Sequence, residues 1–203
     1  MISAEEALLR LQEGNRYFVE NHRVAIDIGH DARQQLVAAQ YPFAIILGCS
    51  DSRVPAEIVF NCGLGDLFVI RVAGNIVAPS QIGSIEFAAA TFGTPLVVVL
   101  GHSHCGAVQA TVDELRQPTD VRSPNLRAIV DRISPAIGNL ISEAGHASED
   151  ELLANAVKAN IHASVENLLH GSEILEDLVA SGALTVVGAE YCLDTGVVNF
   201  LSL

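Results

Sequence analysis

Basic residues are scarce in this 203-residue chain: 11 arginines and lysines stand against 24 acidic residues, and Lys158 is the single lysine. A formal charge of -13 repels phosphate backbones and anionic headgroups, so nucleic acid and membrane surfaces are poor partners. A small neutral substrate needs no electrostatic steering and is not excluded. Charged residues of both signs make up only 17% of the chain and hydrophobic residues 50%, so much of it must be buried in a core or against a partner subunit. The length suits one domain over 1–203 and falls short of the usual two. No apolar stretch is long enough to span a bilayer: the run from Phe87 to Val112 lacks Asp, Glu, Lys and Arg, but Gly93-Thr94-Pro95 and the cluster from His102 to Cys105 interrupt it. The opening Met-Ile-Ser-Ala-Glu-Glu has neither the basic flank nor the apolar segment of a secretory signal, so a reducing cytoplasm is expected. There, metal binding or free thiols outrank disulfides for the four cysteines at 49, 62, 105 and 192. A Walker A loop, a dinucleotide fingerprint, an internal repeat and low-complexity segments are all missing.

What the sequence does carry is two short stretches, Cys49-Ser50-Asp51-Ser52-Arg53 and Gly101-His102-Ser103-His104-Cys105-Gly106, each following an apolar run. The runs, Phe43 to Leu47 and Leu96 to Leu100, have the form of buried strands. If they are neighbouring and parallel, Cys49, His102 and Cys105 meet at one edge of the sheet. Two thiolates and an imidazole there would bind zinc and leave its fourth position open, which separates a catalytic from a structural site.

The rest of the chain alternates between helix and strand signals. Ser3 and Glu6 form a capping box for a helix with apolar positions up to Phe18 and an end at Asn21. A second helix is predicted over 31–40, stopped by Pro42. Pro55 opens a short helix to Phe60, Leu67 to Ile70 is a strand, and Ser80 caps a helix that Gly93 stops at Phe92. Helices follow past Cys105, from Leu126 to Ile141 despite Pro135, from Ser148 through Leu169, and from Ser172 to Val179. Leu184 to Gly188 and an exposed Val197 to Phe200 are the last strands. The pattern predicts an α/β fold, a mostly parallel sheet of about four strands plus an edge strand, flanked by helices joined through right-handed crossovers.

At this point the chain resembles a known family, the β-class carbonic anhydrases. The resemblance runs from the first helix to the last strand and is most specific at Cys49 to Glu57 and Gly101 to Ala107, with Phe68 to Asn75 and Ser84 to Phe87 in support. It implies a carbonate dehydratase that interconverts carbon dioxide and bicarbonate by zinc-bound hydroxide. Carried over residue by residue, it gives Cys49, His102 and Cys105 as ligands of one zinc per chain and Asp51 with Arg53 as an active-site dyad. Gln40 would supply an amide donor to the substrate, while Phe68, Ala73 and Phe87 would line its pocket, partly from a neighbouring subunit. The resemblance further implies a homodimer or higher even-numbered assembly; the first helix could pack on its own domain or reach across, and residues 1–40 are expected to form a helical arm that packs on the partner. Some members add an inhibitory bicarbonate site built from a tryptophan, an arginine and a tyrosine. Here Arg71 and Tyr191 match, but Ile46 stands in the tryptophan's place, so no such gating is expected.

The residues carry a physical case of their own. Asp51, two positions from Cys49, could take the fourth metal position itself, and a bidentate bond to Arg53 would hold it away. Two thiolates give zinc more charge than two imidazoles would, so activity is predicted to rise towards alkaline pH, and a flat rate profile from pH 6 to 9 would contradict this. Hydrolysis of carbonyl sulfide or carbon disulfide on the same scaffold and a non-catalytic zinc module are the other readings. The last requires a fourth protein ligand. His104 is read as a solvent-facing loop residue, His162 and His170 as surface, and Cys62 and Cys192 as buried free thiols.

Overall fold

The computed structural model describes residues 2–22, 28–118, 123–143 and 148–201. Five strands, β1 (Ala44–Gly48), β2 (Leu67–Arg71), β3 (Leu96–His102), β4 (Thr185–Tyr191) and β5 (Val198–Leu201), form one sheet in the order β2-β1-β3-β4-β5. All neighbours pair parallel except β4 with β5, which are antiparallel. The predicted α/β fold with four parallel strands and one edge strand is therefore what forms.

Central strands must be apolar on both faces, and β1 and β3 are buried at every position. Their side chains alternate between two cores. Ile45, Leu47, Val97 and Val99 enter the larger one, while Ala44, Ile46, Leu96, Val98 and Leu100 face the other. Helices α4 (Pro79–Phe92), α5 (Gly106–Arg116), α6 (Pro124–Glu143), α7 (Glu149–His170) and α8 (Glu173–Ala180) contribute to the first core. Helices α1 (Ala4–Val19) and α3 (Ala56–Val59) contribute to the second, and α2 (His30–Gln35) has no buried residue. β1 lies between β2 and β3, so the chain turns to opposite sides after β1 and after β2. That makes the carboxyl ends of β1 and β3 the switch point at which an open α/β sheet leaves a crevice.

Local signals account for most boundaries. The capping boxes Ser3 with Glu6 and Ser148 with Glu151 both form, and Ser172 caps α8. Gly93 ends α4 in the left-handed conformation at φ 66°. Ser80, predicted as the cap of α4, lies inside it: Pro79 occupies the first turn, which sets the boundary at Ala78. Pro55 likewise precedes its helix as the N-cap. Helix α2 stops at Gln35 instead of reaching Gln40, and β4 runs on to Tyr191, because β3 supplies partners as far as His102.

The inner face of α1 packs on its own chain through Ala7, Leu11, Gly14 and Asn15, leaving Leu9 on the outer face exposed. Asn15 ties this helix down by donating to the carbonyls of Val59 and Gly196 and accepting from the Val198 N–H. At Gly14 a Cβ would stand 1.9 Å from the carbonyl oxygen of Phe60, a backbone atom that cannot rotate away. Gly14→Ala is expected to destabilise the chain by at least about 2 kcal/mol, read from the midpoint of urea unfolding. An unchanged midpoint would mean that α1 does not dock on α3 as described.

Candidate active site

Register brings the ligand candidates together. Gly48 pairs with Leu100, so the residue after β1 and the last residue of β3 emerge side by side, and the tight turn after His102 returns Cys105 to the same place at the start of α5. Cys49, His102 and Cys105 are all buried, with their ligand atoms within 4.8 Å of one another. Among the described residues this is the one such cluster of three.

His102 is fully buried, and its Nδ1 lies 2.8 Å from the Ser103 carbonyl oxygen. A carbonyl can only accept, so Nδ1 carries the proton and Nε2 presents a lone pair that no group among the described residues satisfies. A buried, unpartnered acceptor aimed at two thiols is costly unless something electrophilic fills the gap. The thiols fit that reading. The Cys105 S–H donates to Cys49 and lowers the Cys49 thiol to about 4, against the cost of burial and with help from the Gly74 N–H. The same bond, together with burial, holds the Cys105 proton on. A dication in that place would hold both sulfurs as thiolates. Two sulfurs and one imidazole nitrogen form a donor set suited to zinc.

Asp51 stands beside this cluster, with Oδ2 3.8 Å from His102 Nε2. Arg53 grips the carboxylate with both arms, Nε donating to Oδ1 at 2.9 Å and Nη2 to Oδ2 at 2.8 Å, and its backbone N–H adds a 3.0 Å bond to Oδ1. These bonds hold the Asp51 carboxyl well below the usual carboxylate range. A lowered folded-state pKa means that the bond is present at neutral pH and is lost only in strong acid, well below the ordinary carboxylate value. The predicted pairing of Asp51 and Arg53 is formed, and no fourth protein ligand joins the cluster among the described residues.

Several neighbours were not read from the sequence as part of this centre, although Arg71 and Tyr191 were matched there to a bicarbonate site. Arg71, at the end of β2, donates from Nε to the Cys49 carbonyl at 3.0 Å and from Nη2 to the Asp51 carbonyl at 2.6 Å, clipping the loop that carries both. Tyr191 is buried, with its ring packed 6.4 Å from that of Phe18. Gly74 donates its N–H to Cys49 Sγ at 3.3 Å from a 3₁₀ turn, Ala73–Asn75. Asn160 and Ser164 of α7 hold that turn by donating to the Gly74 and Asn75 carbonyls. Polar residues one helical turn apart on an otherwise apolar face were the available signal.

Of the residues expected to line the pocket, Phe68 and Ala73 are half-buried, while Phe87 and Gln40 are exposed. Phe68, Phe87 and Phe92 form an aromatic group with centroids 5.4 to 6.4 Å apart, in which Phe87 is half exposed, and Gln40 is exposed in a loop. His104 is exposed in a left-handed conformation, and its carbonyl lies 3.5 Å from Arg53 Nη2. His170 is exposed and His162 half buried. Cys62 is a buried free thiol that burial pushes up to about 12, whereas Cys192 is half exposed and lowered by the Thr195 hydroxyl. Cys192 is thus a correction to its expected burial: it follows the last residue of β4 and leaves the sheet. At pH 8 the Cys62 thiolate fraction is roughly 10⁻⁴, so iodoacetamide is expected to label Cys192 and leave Cys62 unmodified, as mass spectrometry of the tryptic peptides would show. Labelling of both at equal rates would contradict these surroundings.

Comparison with known proteins agrees with this geometry. The family model described as carbonic anhydrase matches residues 44–198. Carbonic anhydrase 2 of Mycobacterium tuberculosis is 39% identical over 186 residues, covering 92% of this chain and 87% of that protein. The carbonic anhydrase of Mycolicibacterium smegmatis is 40% identical over 192 residues, covering 95% and 90%. Among solved structures, a tetrameric β-carbonic anhydrase of the filamentous ascomycete Sordaria macrospora superposes with a TM-score of 0.75 at 26% identity, covering 86% of this chain and 91% of that one. With a family match over most of its length and the cysteine–histidine cluster at the switch point of the sheet, the chain belongs to the β-class carbonic anhydrases, enzymes that interconvert carbon dioxide and bicarbonate.

Proposed function

We propose that carbon dioxide is hydrated at one zinc ion per chain, held by Cys49 Sγ, His102 Nε2 and Cys105 Sγ. The observation that carries this is the buried, unsatisfied Nε2 facing two buried thiols, all three ligand atoms lying within 4.8 Å of one another. Zinc, when bound, supplies a Lewis acid that lowers the pKa of a coordinated water from about 15.7 towards roughly 7.

The residues of this chain do the rest. Arg53 fixes Asp51, so the carboxylate is available beside the metal position without occupying it. Asp51 accepts a hydrogen bond from the attacking oxygen, which turns that oxygen's lone pair towards the carbon of the substrate. The new carbon–oxygen bond makes bicarbonate, and the proton lost from water passes to solvent. Phe68, Ala73 and Phe87 provide hydrocarbon for an apolar substrate, and Gln40 an amide donor for one of its oxygens. Phe87 is half exposed and Gln40 is exposed in the single chain, which supports a pocket completed between subunits. The Sordaria enzymes are tetrameric, and an even-numbered homo-oligomer, with the outer face of the 1–40 arm against a partner, suits this chain. No helix among the described residues is long and apolar enough to cross a membrane, and four unpaired cysteines suit a reducing cytoplasm.

Parallel assays on zinc-replete protein with carbon dioxide and with carbonyl sulfide test the reading. Hydration of carbon dioxide is expected to dominate. Turnover confined to carbonyl sulfide would overturn the substrate, and turnover that persists at full rate after zinc is removed would overturn the site.

A further inference from the structure

Asn160 and Ser164 lie one turn apart on α7, each 3% exposed, and the bonds their side chains donate go to backbone. Both donate into a single 3₁₀ turn: Asn160 Nδ2 to the Gly74 carbonyl at 2.8 Å and Ser164 Oγ to the Asn75 carbonyl at 3.1 Å. That turn has Gly74 at φ 69°, a conformation glycine adopts freely, and Asn75 at φ 43°, one less common for a residue with a side chain. Its outcome is that the Gly74 N–H meets Cys49 Sγ at 3.3 Å. The helix bearing the two donors is seated closely over the sheet. A Cβ at Gly101 would meet Ile161 at 2.6 Å and one at Gly188 would meet it at 2.8 Å, so α7 sits where only glycine allows it.

We infer that Asn160 and Ser164 are positioning residues for the metal centre: they hold the 73–75 turn so that its N–H donates to the ligand sulfur of Cys49. The inference rests on the zinc reading above. A hydrogen bond to a thiolate draws charge from the sulfur, so the metal keeps more of its positive charge and the sulfur is fixed in place. Asn160 and Ser164 thus act through Gly74 and Cys49 without touching the metal or the substrate. The alternative is that they merely satisfy two buried carbonyls and stiffen the fold.

Cobalt in place of zinc separates the two roles, because its sulfur-to-metal charge-transfer band reports the charge on the ligand sulfurs. Asn160→Asp keeps the shape but turns the donor into an acceptor, Ser164→Ala removes the hydroxyl, and Ser164→Thr retains it. For Asn160→Asp and Ser164→Ala the band is expected at longer wavelength than in the parent protein, with zinc released to a chelator at least about tenfold faster. Ser164→Thr is expected to behave as the parent. Faster release with an unmoved band and a lowered melting temperature of the metal-free protein would show a structural role alone and overturn the inference. So would variants that match the parent in both readouts. If Asn160→Asp does not fold, Ser164→Ala decides by the same two readouts. A parent chain that takes up no metal at all would overturn the zinc reading and this inference together.

Discussion

Arg53→Ala is expected to lower carbon dioxide hydration by about 10²- to 10³-fold, the cost of losing a preorganised hydrogen-bonding group in an active site, while zinc content stays at one per chain. The reason lies in what Asp51 would do next. In the parent chain both carboxylate oxygens are committed to the guanidinium at 2.8 and 2.9 Å, and Oδ2 stands only 3.8 Å from the nitrogen that faces the metal position. Without the guanidinium only the backbone N–H of residue 53 remains on Oδ1, and Oδ2 is free to take the open position. The substitution should therefore produce a metal centre closed by four protein ligands. In the cobalt-substituted variant the visible spectrum should no longer respond to added thiocyanate or azide, as it should in the parent. Arg53→Lys replaces a two-armed grip by a point charge and should fall between the two. Near-normal turnover in Arg53→Ala would sink the gatekeeper role.

The second large effect is expected from His102→Ala. His102 is fully buried, its tautomer is set by the Ser103 carbonyl, and its Nε2 is the sole nitrogen donor of the cluster. Removing it leaves two thiols that no longer define a closed donor set. Zinc is expected to dialyse away against a weak chelator, with hydration falling to the rate in buffer. Thermal melting gives a reading independent of activity. A ligand at about 1,000 times its Kd stabilises the folded state by about 4 kcal/mol, which for a chain of this size raises Tm by roughly 8–16 °C. Zinc should raise the melting temperature of the parent by that order and leave His102→Ala unmoved. A zinc-dependent rise that survives in His102→Ala would place the metal elsewhere.

The cluster of Cys49, His102 and Cys105 was legible because strong signals coincide there. Two unbroken apolar runs mark β1 and β3 as central strands, and the reactive residues follow them directly. What turns that proximity into a site is register, and the pairing of Gly48 with Leu100 is a long-range fact that neither run states. The Asp51–Arg53 pair was legible from its two-residue spacing beside a ligand. Arg71 was harder: its role consists of bonds to two backbone carbonyls, which leave no trace in side-chain patterns. Asn160 and Ser164 were hidden by the rule that a polar residue on a helix faces water, whereas both are buried because backbone carbonyls await them. Boundaries failed where two signals competed. Pro79 overrode Ser80 as the start of α4, and α2 ended five residues before Gln40, ahead of the proline that was expected to stop it. Gln40 shows the limit of a single chain, since a residue proposed to act in a pocket between subunits is simply exposed in its own chain.

The central claim, that Cys49, His102 and Cys105 hold a zinc ion at which carbon dioxide is hydrated, is tested most directly by stopped-flow hydration at pH 8.5 with zinc measured in the same sample. The account predicts one zinc per chain and fast turnover that a metal-binding anion such as azide suppresses. One zinc per chain with no turnover above buffer would contradict it.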